Sequence, residues 1–233
     1  MLDYWLELLV GSGVTEILIN THYFSELVYC YIARSTWVDN VTTVYERELL
    51  GTGGTVLANR NFFNGEPLLV AHADNLTIFD PMAFARAHRD RPIGCELTMM
   101  VFETPVPESC GIVELDQYGI VQAFHEKIQS PPGNLANAAV YILEPSVIEF
   151  MQGLGKCEID LSTEVIPHFL GRISAVRNIE YHRDIGTMQS WKAAQQDFPL
   201  MCASTQNLLA WSSVLASLDG QFEVAVQQAS IAA

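Results

Sequence analysis

Short apolar strands alternate with helical segments through the first ninety residues, and no other feature constrains the fold of this chain as strongly. Three runs have the length and composition of buried strands: Glu16–Asn20, Val41–Tyr45 and Pro67–Ala71. Helical patterns precede, separate and follow them, at about 2–10, 21–34, 55–62 and 81–89. Strands that alternate with helices build a parallel sheet with helices on its faces. The sequence therefore predicts an α/β fold with a Rossmann-like, mostly parallel sheet.

The second half of the chain changes pattern. Strand-like runs follow one another more closely there, at 97–102, 111–115, 120–125, 135–143 and 173–179. The segment Asp116–Gly119 has the composition of a tight turn between two of them, which predicts an added antiparallel portion. Further helices are predicted near 145–152, 160–170 and 187–197. We expect one domain over 1–198 and a helix-leaning C-terminal tail, without an assigned role, over 199–233.

Composition excludes several classes of protein. The 233 residues carry 27 acidic and 12 basic side chains, a net charge of −15, whereas nucleic acid needs a basic binding surface. Five cysteines, an odd number without Cys-x-x-Cys spacing, fit neither a disulfide scaffold nor a four-cysteine zinc site, so we expect a reducing, cytoplasmic location. The N-terminus lacks the basic start of a secretory signal, and the uncharged stretch 198–218 is too polar for a membrane span.

Two acids are candidates for binding a divalent cation. Asp74 follows the third predicted strand, and an acid at the carboxyl end of such a strand can hold Mg²⁺ against phosphates. A turn or helix-capping aspartate has the same sequence appearance. Asp184 precedes Gly186 and Thr187 at a predicted helix start, where capping and metal binding are equally compatible with the sequence.

Two further segments carry groups suited to a sugar nucleotide. Lys127 is one of three lysines and ends a predicted strand beside Glu126. A lysine there can hold a phosphate while the carboxylate accepts hydrogen bonds from sugar hydroxyls, although a surface ion pair is the plainer interpretation. The loop 46–54 ends with three glycines, which allow close approach of a flat base, whereas a simple strand-to-helix turn needs only one.

Nine short segments occur in an order and spacing that is more specific than any one of them. They are Met1–Tyr4, Gly13–Asn20, Leu50–Gly54, Leu69–Asn75, Cys110–Asp116, Phe124–Lys127, Asn137–Tyr141, Asp160–Pro167 and Arg183–Thr187. In this order, over about 1–198, they resemble the sugar-1-phosphate nucleotidyltransferase family, and its mannose- and heptose-1-phosphate guanylyltransferases most of all.

That resemblance implies transfer of a nucleotidyl group from an NTP to a sugar 1-phosphate, which gives an NDP-sugar and pyrophosphate. It implies that Asp74 and Asp184 bind Mg²⁺ and that Lys127 contacts the sugar phosphate. The remaining residues that it assigns to substrate binding are Glu46, Gly51 and Thr52 at the base, Gly111, Glu126 and Asn137 at the sugar, and Asn75. A carboxylate at 46 accepts hydrogen bonds only, and guanine offers two adjacent donors, which favours GTP. No nucleic acid or membrane partner is expected, and association into a homo-oligomer stays open.

The sequence departs from the family's pattern at its start. The family's first strand and its glycine-rich phosphate loop, of the form GGxGTR, are not found, and Ile128 replaces the usual proline. Because that loop holds the triphosphate and its strand pairs with apolar neighbours, we expect nucleotidyl transfer by this chain to be absent or severely impaired. The alternative is a non-catalytic subunit that binds sugar nucleotides or regulates an enzyme. A glycosyltransferase is a weaker alternative, because Asp74 has no second acid two residues before it.

Overall fold

The computed structural model describes the backbone of residues 1–204 and the side chains of residues 1–198. Its α-helices are α1 (Leu2–Gly11), α2 (Ser25–Ile32), α3 (Gly51–Ala58), α4 (Pro81–Arg89), α5 (Pro145–Gly153) and α6 (Met188–Ser204). The helix predicted over 160–170 is a π-helical turn, Leu161–Val165, followed by a 3-10 turn, Ile166–Phe169. Its strands are β1 (Ile17–Thr21), β2 (Val41–Tyr45), β3 (Leu68–Ala71), β4 (Asn75–Ile78), β5 (Leu97–Glu103), β6 (Gly111–Leu115), β7 (Val121–Glu126), β8 (Leu135–Leu143), β9 (Ile173–Arg177) and β10 (Tyr181–Asp184). The predicted tail, 199–233, lies outside the described residues except for 199–204, which continue α6.

Strand β8 organises the central six-stranded sheet, in which the order β7-β6-β8-β5-β9 is joined by β3. On one edge β8 pairs with β5 along its length, and on the other it pairs with β6 near its start and with β3 near its end. Strands β3, β5, β6 and β9 run in one direction, against β7 and β8. The predicted α/β class is confirmed. The ladders on both edges of β8 are antiparallel, and among the described strands of this sheet only β5 and β9 pair in parallel, so the sheet is mixed rather than mostly parallel.

Alternation along β8 sends its side chains into two hydrophobic cores. Tyr141 and Leu143 pack on the side covered by α3 and α5. Val140 and Ile142 pack on the opposite side, which α1, α4 and α6 cover. Helices therefore lie on both faces of the sheet, which explains why its central strands are apolar along most of their length.

Strands β1 and β2 form a separate, parallel two-stranded sheet. Within residues 1–204, β1 pairs only with β2 and β3 only with β8, so each has one edge without a strand partner. All four residues of β3 are partly exposed although the strand is wholly apolar. Ile17 of β1 and Leu69 of β3 nevertheless pack against the same core as α1.

Strands β4 and β10 form a short antiparallel ladder that the sequence analysis did not predict. The ladder places Asp184 opposite Asn75, so it brings two distant segments together. The helix predicted over about 21–34 is shorter in the structure, at Ser25–Ile32. Thr21 ends β1, where its hydroxyl donates to the Val44 carbonyl oxygen at 3.3 Å, and α2 begins only at Ser25.

Of the helices in the described part of the chain, none combines the length and the apolar character that a bilayer-spanning segment requires.

Candidate active site

A tight turn after β3 presents Asp74 to solvent. The Asn75 backbone N–H donates to the His72 carbonyl at 3.1 Å, which closes the turn. The same turn is fixed to β8, because the His72 N–H donates to the Ala139 carbonyl at 3.2 Å and the Asn75 side-chain amide donates to the Ala138 carbonyl at 3.1 Å. The turn is therefore held on both sides while the Asp74 side chain remains exposed.

Strand β10 brings Asp184 to this turn. The Ile185 N–H donates to the Asp74 carbonyl at 2.9 Å. The two carboxylates meet beside Gly186: a Cβ atom at that glycine would lie 3.0 Å from Asp184 Oδ1 and 3.7 Å from Asp74 Oδ2. The Gly186 N–H donates to Asp184 Oδ1 at 2.7 Å and orients it. Two carboxylate oxygens thus face one small volume next to a residue without a side chain.

The neighbours of Asp184 hold β10 from both of its faces. His182 Nδ1 lies 2.7 Å from the Thr77 hydroxyl and its ring lies 4.1 Å from that of Phe102, centroid to centroid. Burial lowers the pKa of His182 to about 4. On the other face, Arg183 and Tyr181 both bond the Asp197 carboxylate of α6. These contacts fix the backbone from which the Asp184 side chain projects.

The two acids form a set that fits Mg²⁺. This cation takes oxygen ligands and is commonly bound by one or two carboxylates together with substrate phosphates. Within residues 1–198 no cluster of three or more potential ligand side chains occurs, so Asp74 and Asp184 are a two-carboxylate set rather than part of a larger protein cage.

A second group of predicted residues lies on the β6–β7 hairpin. Gly111 is opposite Glu126, and a Cβ atom at Gly111 would lie 2.7 Å from Glu126 Oε2 and 2.5 Å from the Phe124 ring. Only glycine leaves room for both side chains. Lys127 has a positive φ of 48° and its Nζ lies 3.6 Å from Glu126 Oε1. The side chain of Lys127 is 66% exposed, and its ion pair is with Glu126 rather than with Asp74 or Asp184.

Asn137 is held in place by the irregular part of β8. Its side-chain amide donates to the Tyr141 hydroxyl at 2.6 Å, and its Oδ1 accepts from the Ala139 N–H at 3.0 Å. Ala139 has a φ of 52°, and the pairing of β5 with β8 shifts register at this point. Burial raises the pKa of the Tyr141 hydroxyl, and the carboxylates of Glu126 and Asp160 raise it further. Asn137 hydrogen-bonds this buried tyrosine, and the charges of Glu126 and Asp160 act on its hydroxyl.

The glycines at the start of α3 serve packing within the chain. A Cβ atom at Gly51 or Gly53 would lie 2.6 Å or 2.9 Å from atoms of Ile159, and one at Gly54 would lie 2.2 Å from the Cys157 carbonyl oxygen. The N–H groups of Gly53 and Gly54 also donate to the Ile159 carbonyl. This packing explains why glycine is needed at all three positions. The sequence analysis interprets the glycines by close approach of a base.

Glu46 and Thr52, both assigned to the base by resemblance, already have partners inside the chain. Glu46 is 6% exposed, and its Oε1 accepts from the Thr55 hydroxyl at 2.5 Å. The Thr52 hydroxyl accepts from the Leu161 N–H at 2.8 Å and lies 3.4 Å from Asp160 Oδ2.

The structure thus brings some predicted residues together and leaves others apart. Asp74, Asn75 and Asp184 share one turn and ladder, and Gly111, Glu126 and Lys127 share the hairpin. Convergence of Lys127 with the two acids, and substrate contacts by any of these residues, stay predictions. Sequence reasoning assigned no role to Asp160, Tyr141 or Gly186. All three stood within segments that carried the resemblance, but no local pattern marked them as parts of a site.

Comparison with known proteins shows which protein family the chain is related to. Residues 1–199 match the nucleotidyl transferase family. The mannose-1-phosphate guanylyltransferase catalytic subunit beta of Dictyostelium discoideum is 31% identical over 159 residues, a match that covers 65% of this chain and 43% of that protein. The chain therefore spans less than half the length of this relative.

A solved structure shows the same fold. HddC from Yersinia pseudotuberculosis superposes with a TM-score of 0.71 at 23% identity, covering 84% of each chain. Its complex with GMP-PN gives 0.69 at 22% identity, covering 83% of each chain. With a family match over nearly the whole described region and a shared fold, this chain belongs to the nucleotidyl transferase family.

Proposed function

We propose that this chain has the architecture for nucleotidyl transfer from GTP to a sugar 1-phosphate, with GDP-sugar and pyrophosphate as products. The observation that carries the proposal is the pair of carboxylates, Asp74 and Asp184, that face one volume beside Gly186. Relatives named as mannose-1-phosphate guanylyltransferases support the substrate class. In this reaction an oxygen of the sugar phosphate attacks the α-phosphorus in line, and pyrophosphate leaves.

Asp74 and Asp184 are the residues that would hold Mg²⁺. When bound, the ion neutralises phosphate charge, which matters because phosphoryl and nucleotidyl transfer depend on positioning and charge neutralisation. The chain's own contribution is to fix the two carboxylates. The hydrogen bonds of the Asp74 turn to β8 and of Gly186 to Asp184 perform that task.

The hairpin and β8 would bind the sugar 1-phosphate. Lys127, two-thirds exposed, supplies a point charge for the phosphate. Glu126 and Asn137 would bond sugar hydroxyls, and Gly111 leaves them space. Asp160, which acts electrostatically on the same tyrosine as Glu126, is a further candidate for the sugar pocket.

The end of β2 and the start of α3 would bind the base. The Thr55 hydroxyl holds one oxygen of Glu46, so the carboxylate is oriented before a ligand binds. A carboxylate matches the N1–H and amino donors of guanine and offers no donor to uracil or thymine. Gly51 and Thr52 lie at the start of α3, and Asn75 supports the Asp74 turn.

A side-by-side assay tests the proposal. The 233-residue chain is titrated with GTP, UTP and dTTP in Mg²⁺, and pyrophosphate release is followed with mannose 1-phosphate and glucose 1-phosphate. We expect GTP to bind more tightly than the two pyrimidine nucleotides. Equal or tighter binding of UTP would contradict the guanine assignment, and absence of all nucleotide and sugar-phosphate binding would contradict the function.

The second candidate is a non-catalytic subunit that binds sugar nucleotides. It is favoured by the unpaired edge of β3 within the described residues, because β3 carries the Asp74 turn. Impaired catalysis is part of our proposal for the same reason. Binding of GTP and sugar phosphate without pyrophosphate release would favour this candidate. We also propose a cytoplasmic location, which is supported by the four cysteines among residues 1–198, because none of them forms a disulfide.

A further inference from the structure

One buried ring nitrogen, two residues before Asp74, has no hydrogen-bond partner in the described part of the chain. Among the side chains of residues 1–198, His72 Nε2 is the one buried nitrogen or oxygen atom for which no partner is present. Leaving a buried polar group unpaired costs about 1–3 kcal/mol. A hydrogen-bond partner from outside the described residues, such as a bound ligand, would remove this cost.

The position of His72 restricts what that partner is. His72 is the first residue of the Asp74 turn, and its N–H pairs with Ala139 of β8. Val70, two residues earlier, lies opposite Tyr141. Because side chains two residues apart in a strand share a face, His72 belongs to the face of the sheet that holds Val70 and Tyr141. Its ring therefore lies on the Tyr141 face, directly before the turn that carries Asp74.

Two polar side chains on the Tyr141 side of the sheet are already bonded. Asn137 bonds Tyr141 and the Ala139 N–H, and Thr52 bonds Leu161. His72 differs from them because its backbone is fixed while one of its ring nitrogens is unused. A fixed ring with an unused nitrogen is suited to recognise a ligand oxygen, since little ordering is needed on binding.

We propose that His72 Nε2 hydrogen-bonds an oxygen of the bound sugar 1-phosphate, an inference that rests on the proposed function. His72 opens the Asp74 turn, and its N–H donates to the carbonyl of Ala139, two residues along β8 from Asn137. The sugar 1-phosphate is the ligand that, in the proposed function, extends from the two acids to Asn137. The base is assigned to Glu46, which follows β2 in the separate two-stranded sheet. His72 thus binds the sugar 1-phosphate and not the nucleotide. Its replacement should therefore change the affinity for the sugar 1-phosphate and leave the affinity for GTP nearly the same.

The test measures the two affinities separately. Isothermal titration of the full chain in Mg²⁺ gives one Kd for mannose 1-phosphate and one for GTP. For His72→Phe, which keeps a ring but no nitrogen, we expect the Kd for mannose 1-phosphate to rise about tenfold and that for GTP to change less than about twofold. For His72→Gln, whose amide reaches as far as Nε2, we expect the mannose 1-phosphate Kd to stay within about threefold of wild type.

A matched control is His168→Phe. His168 is exposed and stacks on Phe150 at 3.8 Å between ring centroids, so both Kd values should be unchanged. Thermal unfolding checks that each variant folds, and His72→Leu replaces His72→Phe if the latter does not.

The outcomes distinguish this inference from the proposed function. Wild-type protein that binds neither GTP nor mannose 1-phosphate overturns both. Wild-type protein that binds them while His72→Phe binds mannose 1-phosphate equally well overturns the role of His72 alone. An equal loss of both affinities in His72→Phe also overturns it, because that result indicates a general disturbance of the site.

Discussion

Asp74 and Asp184 each direct a carboxylate oxygen at the space beside the Cα atom of Gly186. The β4–β10 ladder produces this arrangement, because it sets Asp184 opposite the residue that follows Asp74. Two carboxylates that face the same small space repel each other, and a cation bound between them removes that repulsion. The proposed role of this pair therefore predicts that the site depends on a divalent ion.

Replacing Asp184 by Asn should weaken metal-dependent nucleotide binding. The asparagine keeps the size of the side chain and an oxygen that accepts from the Gly186 N–H, but it removes the charge. We expect the Kd for GTP in Mg²⁺ to rise at least about tenfold, while the free energy of unfolding changes by less than about 1 kcal/mol. Titration calorimetry with Mg²⁺ and with EDTA measures the metal-dependent part.

The control for this prediction is Asp90→Asn, which removes the same charge at an exposed residue paired with Arg89. Nucleotide affinity should stay at the wild-type value. If Asp184→Asn and wild type show the same difference between Mg²⁺ and EDTA, Asp184 does not bind the metal.

Gly54→Ala should destabilise the fold without involving a ligand. A methyl group there would meet the Cys157 carbonyl oxygen at 2.2 Å, so the start of α3 has to move away from the 157–161 segment. We expect a loss of about 2–3 kcal/mol in the free energy of unfolding, typical of overpacking against rigid backbone. Urea denaturation followed by circular dichroism measures it.

Gly153→Ala is the matched control, because a Cβ atom at Gly153 would have no neighbour within 4 Å and the residue lies in α5. Alanine is the better helix former, so stability should stay level or rise by up to about 1 kcal/mol. Equal destabilisation by both substitutions would show that the contact with Cys157 is not what requires glycine at 54.

Apolar strands were predictable from the sequence, whereas polar strands were not. β2, β6 and β8 have the predicted bounds, since their runs of β-branched and apolar residues reflect burial directly. β4 and β10 have four residues each, and β10 is mostly polar. Their stability comes from pairing with each other and from contacts with α6, information that no local window contains.

The candidate site likewise has features that the sequence predicts and features that it does not. The position of Asp74 at the end of an apolar strand could be predicted, because strand ends follow from the hydrophobic pattern. The packing of the α3 glycines on Ile159 could not, since the contact joins segments far apart in the chain. The unpaired nitrogen of His72 likewise depends on which atoms surround it, which sequence spacing does not report.

Tyr141→Phe should weaken sugar-phosphate binding through Asn137. Removal of the hydroxyl takes away the acceptor of the Asn137 amide, so that side chain loses one of its two fixed partners. We expect a loss of about 1 kcal/mol in stability and a Kd for mannose 1-phosphate that is severalfold higher. Chemical denaturation and calorimetry measure the two effects.

The control is Tyr118→Phe, in the exposed turn between β6 and β7, where the side chain is 72% accessible. Both quantities should match wild type. A Tyr141→Phe protein with unchanged sugar-phosphate affinity would show that Asn137 needs no support from Tyr141 in order to bind, or that it does not bind.

Stability should fall as the pH drops below about 6.5, in part because His88 resists protonation in the folded state. His88 is buried, and it lies 2.7 Å from the Thr98 hydroxyl and 3.0 Å from Glu144 Oε1. Burial, and next the nearby Arg91 charge, lower its pKa, while Glu144 opposes them. Because the folded-state pKa is depressed, the unfolded chain binds a proton first. The stabilisation is therefore complete above the ordinary pKa of histidine and is lost as the pH falls below it.

The measurement is the free energy of urea unfolding at pH 7.5 and 5.5, for wild type and for His88→Gln. The variant should be less stable at pH 7.5, and the difference from wild type should shrink by at most about 1.4 kcal/mol at pH 5.5. His182, whose pKa is also lowered, contributes equally to both proteins and cancels in the difference. A difference that stays constant between the two pH values would show that His88 titrates alike in the folded and unfolded chain.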